Sequence, residues 1–100
     1  ARVSALVEAY EEAGVEGAVA RRRIGTYDYL KTEQKGGGLR RVSVFPMAVK
    51  RVKESWPEKS KRERKWMSPA DAIKAVDEKS LKKLIAQFAQ NFERYRVAKV

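Results

Sequence analysis

Three rhythms of hydrophobic and polar positions run along the chain, and each predicts a different element. Between residues 2 and 13, Val3, Leu6, Tyr10 and Ala13 fall on one side of a helical wheel at about 100° per residue. Glu8, Glu11 and Glu12 share an arc of roughly 100° on the opposite side. The pattern predicts a helix over residues 2–13 that buries one face and presents carboxylates on the other. Gly14 suits the position just past its end, where helices commonly need a left-handed residue.

From Gly17 to Glu33 β-formers dominate, with Ile24, Tyr27, Tyr29 and Leu30 around Gly25. This predicts one long, bent strand, with Gly25 marking a bulge or a close approach. "KGGG" at Lys35 to Gly38 is a turn signal leading into "LRRVSVFPMAVKRV", residues 39–52. There Val42, Val44, Phe45, Met47, Ala48 and Val49 are apolar on both faces, the pattern of a central strand in a covered sheet. Pro46 cannot donate a ladder hydrogen bond, so it implies a bulge or a locally unpaired position. Trp56 and Pro57 break the strand, and a short strand is expected near Arg64 to Met67. "SPADAIKAV" then opens a short helix, with Ser68 as N-cap, Pro69 at the first helical position and Asp71 two residues on; it should run to about Val76.

In the last quarter the period returns to that of a helix. Leu81, Leu84, Ile85, Phe88, Phe92 and Tyr95 make an apolar stripe, with Lys82, Lys83 and Gln87 outside it. The stripe reads as core, packed on the sheet. Helix, strands, strand, helix, helix is an α/β or α+β order rather than an all-α bundle. Only about three strands are visible where a sheet covered on both sides wants more, so part of the structural unit is expected upstream of Ala1.

Composition narrows the chemistry. One hundred residues make one small domain, residues 1–100, and 43% hydrophobic with 36% charged residues can form a core. No apolar run approaches the roughly 20 residues of a membrane span, and no secretory signal opens the chain; a cytoplasmic location is the default expectation. There is no cysteine and no histidine. Disulfides, zinc ribbons and thiol nucleophiles are excluded, and catalysis is left to carboxylates, lysines, tyrosines or a hard, oxygen-bound cation. Lysine and arginine total 23 against 13 acids, and the net charge of +10 points to an anionic partner or substrate. Nucleic acid, nucleotides, inositol phosphates and acidic headgroups are all eligible. No oligomeric state follows.

Against this basic background Glu8, Glu11 and Glu12 stand out. They are spaced three and four apart, where helical side chains meet and like charges repel. A solvated acidic face and a site for a divalent cation are both consistent with that spacing. Arg40 and Arg41 are the candidate substrate-binding residues among several basic pairs, since arginine forks match phosphate oxygens and alternation along a strand lets half of such a cluster face one site. Lys59, Lys61, Arg62, Arg64 and Lys65 read as solvated surface, and Trp56 and Trp66 as packing residues.

"VEAYEEAGV", residues 7–15, resembles the second half of the Nudix box, which ends Arg-Glu-aliphatic-x-Glu-Glu-x-Gly-aliphatic. Glu8, Glu11, Glu12, Gly14 and Val15 match. Val7 stands in place of the arginine, Ala9 is a small residue at the aliphatic position, and the box's opening glycine and first glutamate would precede Ala1. The likeness continues through "IGTYDY", "VSVFPMAV", "ESWPEKSKRERKWMSPADAIKAV" and "LKKLIAQF", which follow the layout of Nudix proteins similar to the diphosphoinositol polyphosphate phosphohydrolases.

The resemblance implies a mixed sheet between helices, with a magnesium or manganese ion bound by the box. It implies Glu8 and Glu12 as metal ligands and Glu11 as a further ligand or a helper in activating water. Glu58, in the loop after the second strand, is the candidate for an additional metal or base carboxylate, so that Glu8, Glu11 and Glu58 form the catalytic set; a charge balancing nearby Lys59 or Arg62 is the alternative reading of Glu58. The implied reaction is attack of water at phosphorus in a diphosphoinositol or diadenosine polyphosphate. Two other readings stay open: a Nudix-like scaffold without activity, because of Val7 and the partial box, and a basic nucleic-acid-binding module, which no RNA-binding signature favours.

Overall fold

A computed structural model describes residues 2–95. The first helix, α1 (Arg2–Ala13), has the expected bounds. Gly14 ends it with φ of +64°, and its N–H donates to Tyr10 O at 2.9 Å. Four strands follow: β1 (Val15–Val19), β2 (Gly25–Leu30), β3 (Leu39–Val44) and β4 (Met47–Val52). The helices α2 (Pro69–Ala75) and α3 (Lys79–Gln90) follow, with short 3-10 turns at Glu33–Lys35 and Phe92–Tyr95. The class is α+β, as expected, with antiparallel pairing throughout the described strands.

Each of the two long strands expected from the sequence is broken in the middle. β1 pairs with β4, and β2 with β3, as two separate two-stranded sheets. Together they form one bent ribbon. At the bend, Ala20 N donates to Pro46 O at 3.0 Å and Ile24 N to Val44 O at 2.7 Å. Pro46 has no N–H to return, so the ladder is interrupted there, as a proline requires. The far end of the ribbon turns through the Lys35 to Gly38 stretch.

β3 and β4 are not the covered central strand that their apolar residues suggested. Each has one partner, and Leu39 and Val52 are 62% and 47% exposed. The segment Arg64 to Met67 is not a strand either, because its backbone joins no ladder; Arg64 is anchored through its side chain instead. α1 packs along β1, yet no residue of the helix is fully buried. Leu6 and Ala13 are half-covered, whereas Val3 is 74% exposed, so the expected buried face is covered only in part.

The Ser68 cap behaves as its pattern predicts, but the helix expected to carry the stripe through Tyr95 stops at Gln90, where the Asn91 side chain donates to Gln87 O. Phe92–Tyr95 form a separate 3-10 turn, and Phe92 is 54% exposed rather than core. Ser68 Oγ accepts the N–H of Asp71 at 3.1 Å, capping α2. Lys82 Nζ donates to Ile73 O at 2.5 Å and joins α2 to α3. Leu84 of α3 presses on β2 at Gly25, where a Cβ would stand 2.5 Å from Leu84 Cδ2, which explains the glycine as a close approach. Phe88 meets Phe92 and Tyr95 at ring-centroid distances of 5.6 and 5.9 Å. Among the described residues the buried hydrophobic ones are Val19, Ala20 and Leu84, a core at the junction of the bent ribbon and α3. Among the described residues no helix is long and apolar enough to cross a membrane.

Candidate active site

Residues four apart on a helix share a face, and Glu8 and Glu12 accordingly line the same open cleft of about 660 Å³, together with Ser4. β2 contributes Tyr27 and Tyr29, with ring centroids 6.5 Å apart; β3 contributes Arg41 and Ser43; Phe45 and Glu78 complete the rim. Of the residues singled out in the sequence, the cleft therefore gathers Glu8, Glu12 and Arg41. Arg40, its neighbour in the strand, does not line it, and its guanidinium turns back to Leu39 O at 3.3 Å.

Arg41 is already engaged. Its Nε and Nη2 donate to the two carboxylate oxygens of Asp28 at 2.9 and 3.3 Å, across the β2–β3 register. The hydrogen bond from Arg41 holds the Asp28 carboxyl below its usual range. Burial pushes the Tyr27 phenol up, with smaller contributions from Glu78 and Tyr29, so it stays neutral and able to donate a hydrogen bond.

Glu11 and Glu58 lie outside the cleft, next to each other along the end of α1. Glu58 N donates to Glu11 O at 2.9 Å. The Glu58 carboxylate accepts Arg62 Nε at 3.1 Å, and Arg62 Nη2 stands 2.8 Å from Glu12 Oε1. One guanidinium thus spans Glu12 and Glu58. Among the described residues no three carboxylates converge as a metal cluster. Two carboxylates facing one cleft still suit magnesium, which commonly takes one or two protein carboxylates and fills its other positions with water and substrate phosphate oxygens.

Three residues read as surface or packing in the sequence bear on the site. Arg62 bridges two of its acids. Trp56 Nε1 donates to Glu12 O at 3.0 Å, and Arg64 Nη1 to Ala13 O at 2.8 Å. A sequence signal for them existed: α1 carries acids and no basic residue in its last turn, so its electronegative end calls for a cation from elsewhere in the chain. Tyr27 and Tyr29 read only as strand formers, with nothing in their spacing to mark them as cleft walls.

Helix-borne carboxylates and a strand-borne arginine lining one cleft make an arrangement suited to phosphate chemistry. Nudix hydrolase 18, mitochondrial, of Arabidopsis thaliana is 42% identical over 65 residues, covering 65% of this chain and 35% of that protein. Nudix hydrolase 13, mitochondrial, of the same plant is 32% identical over 73 residues, covering 66% of the chain and 36% of that protein. Nudix hydrolase 12, mitochondrial, also from that plant, is 27% identical over 92 residues, covering 86% and 44%. No family model matches the chain. Over these stretches the chain is similar to Nudix hydrolases, and it spans less than half the length of these curated relatives.

Proposed function

We propose that this chain forms part of a metal-dependent hydrolase that cleaves a phosphoanhydride bond in a polyphosphorylated small molecule. The observation that carries the reading is the convergence of Glu8, Glu12 and Arg41 on one cleft. Glu8 and Glu12 would hold magnesium or manganese, which supplies charge neutralisation at the phosphate and a more acidic water. Arg41 would grip a phosphate oxygen by exchanging its exposed Asp28 partner for substrate, an exchange that costs little because exposed ion pairs are weak. The neutral Tyr27 phenol is placed to donate to a bound oxygen. Glu11 and Glu58, one step outside, are reserve carboxylates, and a shift of Arg62 would free Glu58 together with Glu12. Diphosphoinositol and diadenosine polyphosphates are the proposed substrate classes.

The test is phosphate or nucleotide release from a panel of these compounds by the full-length protein containing this chain, with and without magnesium. Glu12→Gln should lower kcat by about 100-fold, on the scale of losing one preorganised transition-state contact, with KM little changed. Turnover that survives both chelation and Glu12→Gln would overturn the reading. A second reading, a scaffold without activity, is favoured by Val7 in place of the box arginine and by Arg62 sitting on Glu12; it predicts no release under any condition.

A further inference from the structure

An α-helix leaves its last four carbonyls without intrahelical partners. In α1 these belong to Tyr10, Glu11, Glu12 and Ala13, and every one has a donor. Gly14 N serves Tyr10 O, Glu58 N serves Glu11 O, Trp56 Nε1 serves Glu12 O and Arg64 Nη1 serves Ala13 O, at 2.8–3.0 Å. The two side-chain donors are separated from their acceptors by 44 and 51 positions in the chain. They come from the irregular stretch after β4, which has no ladder to define it.

The donors form a unit. The Arg64 guanidinium lies 3.9 Å from the Trp56 ring centroid, and its second arm donates to Lys53 O, while Lys53 N donates to Gly14 O at 2.7 Å. The unit fits closely against Gly14, where a Cβ would stand 2.8 Å from Arg64 Nη1 and 2.9 Å from Trp56. Its charge is matched as well. Glu11 and Glu12 sit at the electronegative end of α1, where acids are unfavourable, and Arg64 places a cation against the terminal carbonyl.

α1 has no fully buried side chain to set its rotation; beyond its C-terminal carbonyls it is tied by Arg2 Nη2 to Val19 O at 3.2 Å and by the exposed Arg62–Glu12 pair at 2.8 Å. We propose that Trp56 and Arg64 are positioning residues that fix the rotation and axial place of α1, and so aim Glu8 and Glu12 into the cleft. The inference rests on the metal-binding reading of those two carboxylates. Arginine is needed rather than lysine, because only a planar fork reaches two carbonyls while stacked on an indole.

The experiment uses the full-length protein with Arg64→Lys and Trp56→Phe, which keep the charge and the ring while removing the fork and the indole donor. Manganese binding is read directly from the paramagnetic resonance of free Mn²⁺, with circular dichroism and thermal melting as controls of folding. Each variant should stay folded at the assay temperature and bind Mn²⁺ about tenfold more weakly, the scale at which outer partners act on a metal site. In substrate assays kcat should fall with KM unchanged. A folded variant that binds Mn²⁺ like wild type overturns the positioning role of that residue. Variants unfolded at the assay temperature overturn it too, by making the unit a general support of the fold. Wild type that binds no Mn²⁺ overturns the metal reading first, and the positioning role with it.

Discussion

α1 and α3 are both 12 residues long and are held by opposite means. α3 is anchored by side chains: Leu84 is buried against Gly25, and Phe88 packs with Phe92 and Tyr95. α1 is anchored by its backbone end, through the carbonyls of Glu11, Glu12 and Ala13, while its side chains stay at least partly open to solvent. The difference suits the work assigned to each. A helix fixed through its carbonyls can present carboxylates to a cleft on one side without surrounding them with apolar neighbours. α3 spends its apolar face on packing and leaves Lys79, Lys83, Gln87 and Gln90, with no carboxylate, on its exposed side.

A set of substitutions and one change of pH would break or sharpen this contrast. Leu84→Ala should have the largest effect, destabilising the fold by about 2–4 kcal/mol in denaturant titrations, whereas Tyr10→Ala on α1, at a residue 38% exposed, should cost under about 1 kcal/mol. Equal costs would mean that α1 is held by its apolar stripe after all. Gly14→Ala comes next, at about 1–2 kcal/mol, because it combines a left-handed backbone with a clash against the Trp56–Arg64 unit. If the loss were only that of the backbone conformation, Gly14→Asn would recover most of it; a clash predicts that Gly14→Asn fails as well.

Arg62→Gln should be smaller and opposite in sign for binding. Removing the guanidinium 2.8 Å from Glu12 Oε1 relieves a competitor of the cation, so calorimetric titration should show Mg²⁺ binding up to about fivefold tighter, the range of an exposed ion pair. Weaker binding would show that Arg62 holds Glu12 in place rather than competing for it. The smallest effect concerns pH. Asp28 has a depressed folded pKa, so its contribution is present above the ordinary aspartate value and is lost as pH falls through the folded one. Thermal melts should therefore show a slight loss of stability below about pH 4 that Asp28→Asn removes. An unchanged acid limb in Asp28→Asn would assign that loss to other carboxylates.

What could be read from the chain and what could not divide along a physical line. α1 from residue 2 to 13, its stop at Gly14, the Ser68 cap and the stripe of α3 were all legible, because periodicity, capping and left-handed glycine act within a few residues of one another. The close approach at Gly25 and the break at Pro46 were legible for the same reason. The pairing of Glu8 with Glu12 follows from the helical period alone. Which strand arginine would share their cleft did not: Arg40 and Arg41 are equivalent in composition, and the choice rests on how the bent β2–β3 pair lies beside α1. Nor could a rule of local propensity find Trp56 and Arg64, whose roles consist in reaching backbone oxygens 44 and 51 residues away, or the reach of Arg62 past its near neighbour Glu58 to Glu12. Local rules specify where a helix begins and ends; what satisfies its exposed carbonyls is decided by whichever donors the tertiary fold brings within hydrogen-bond range.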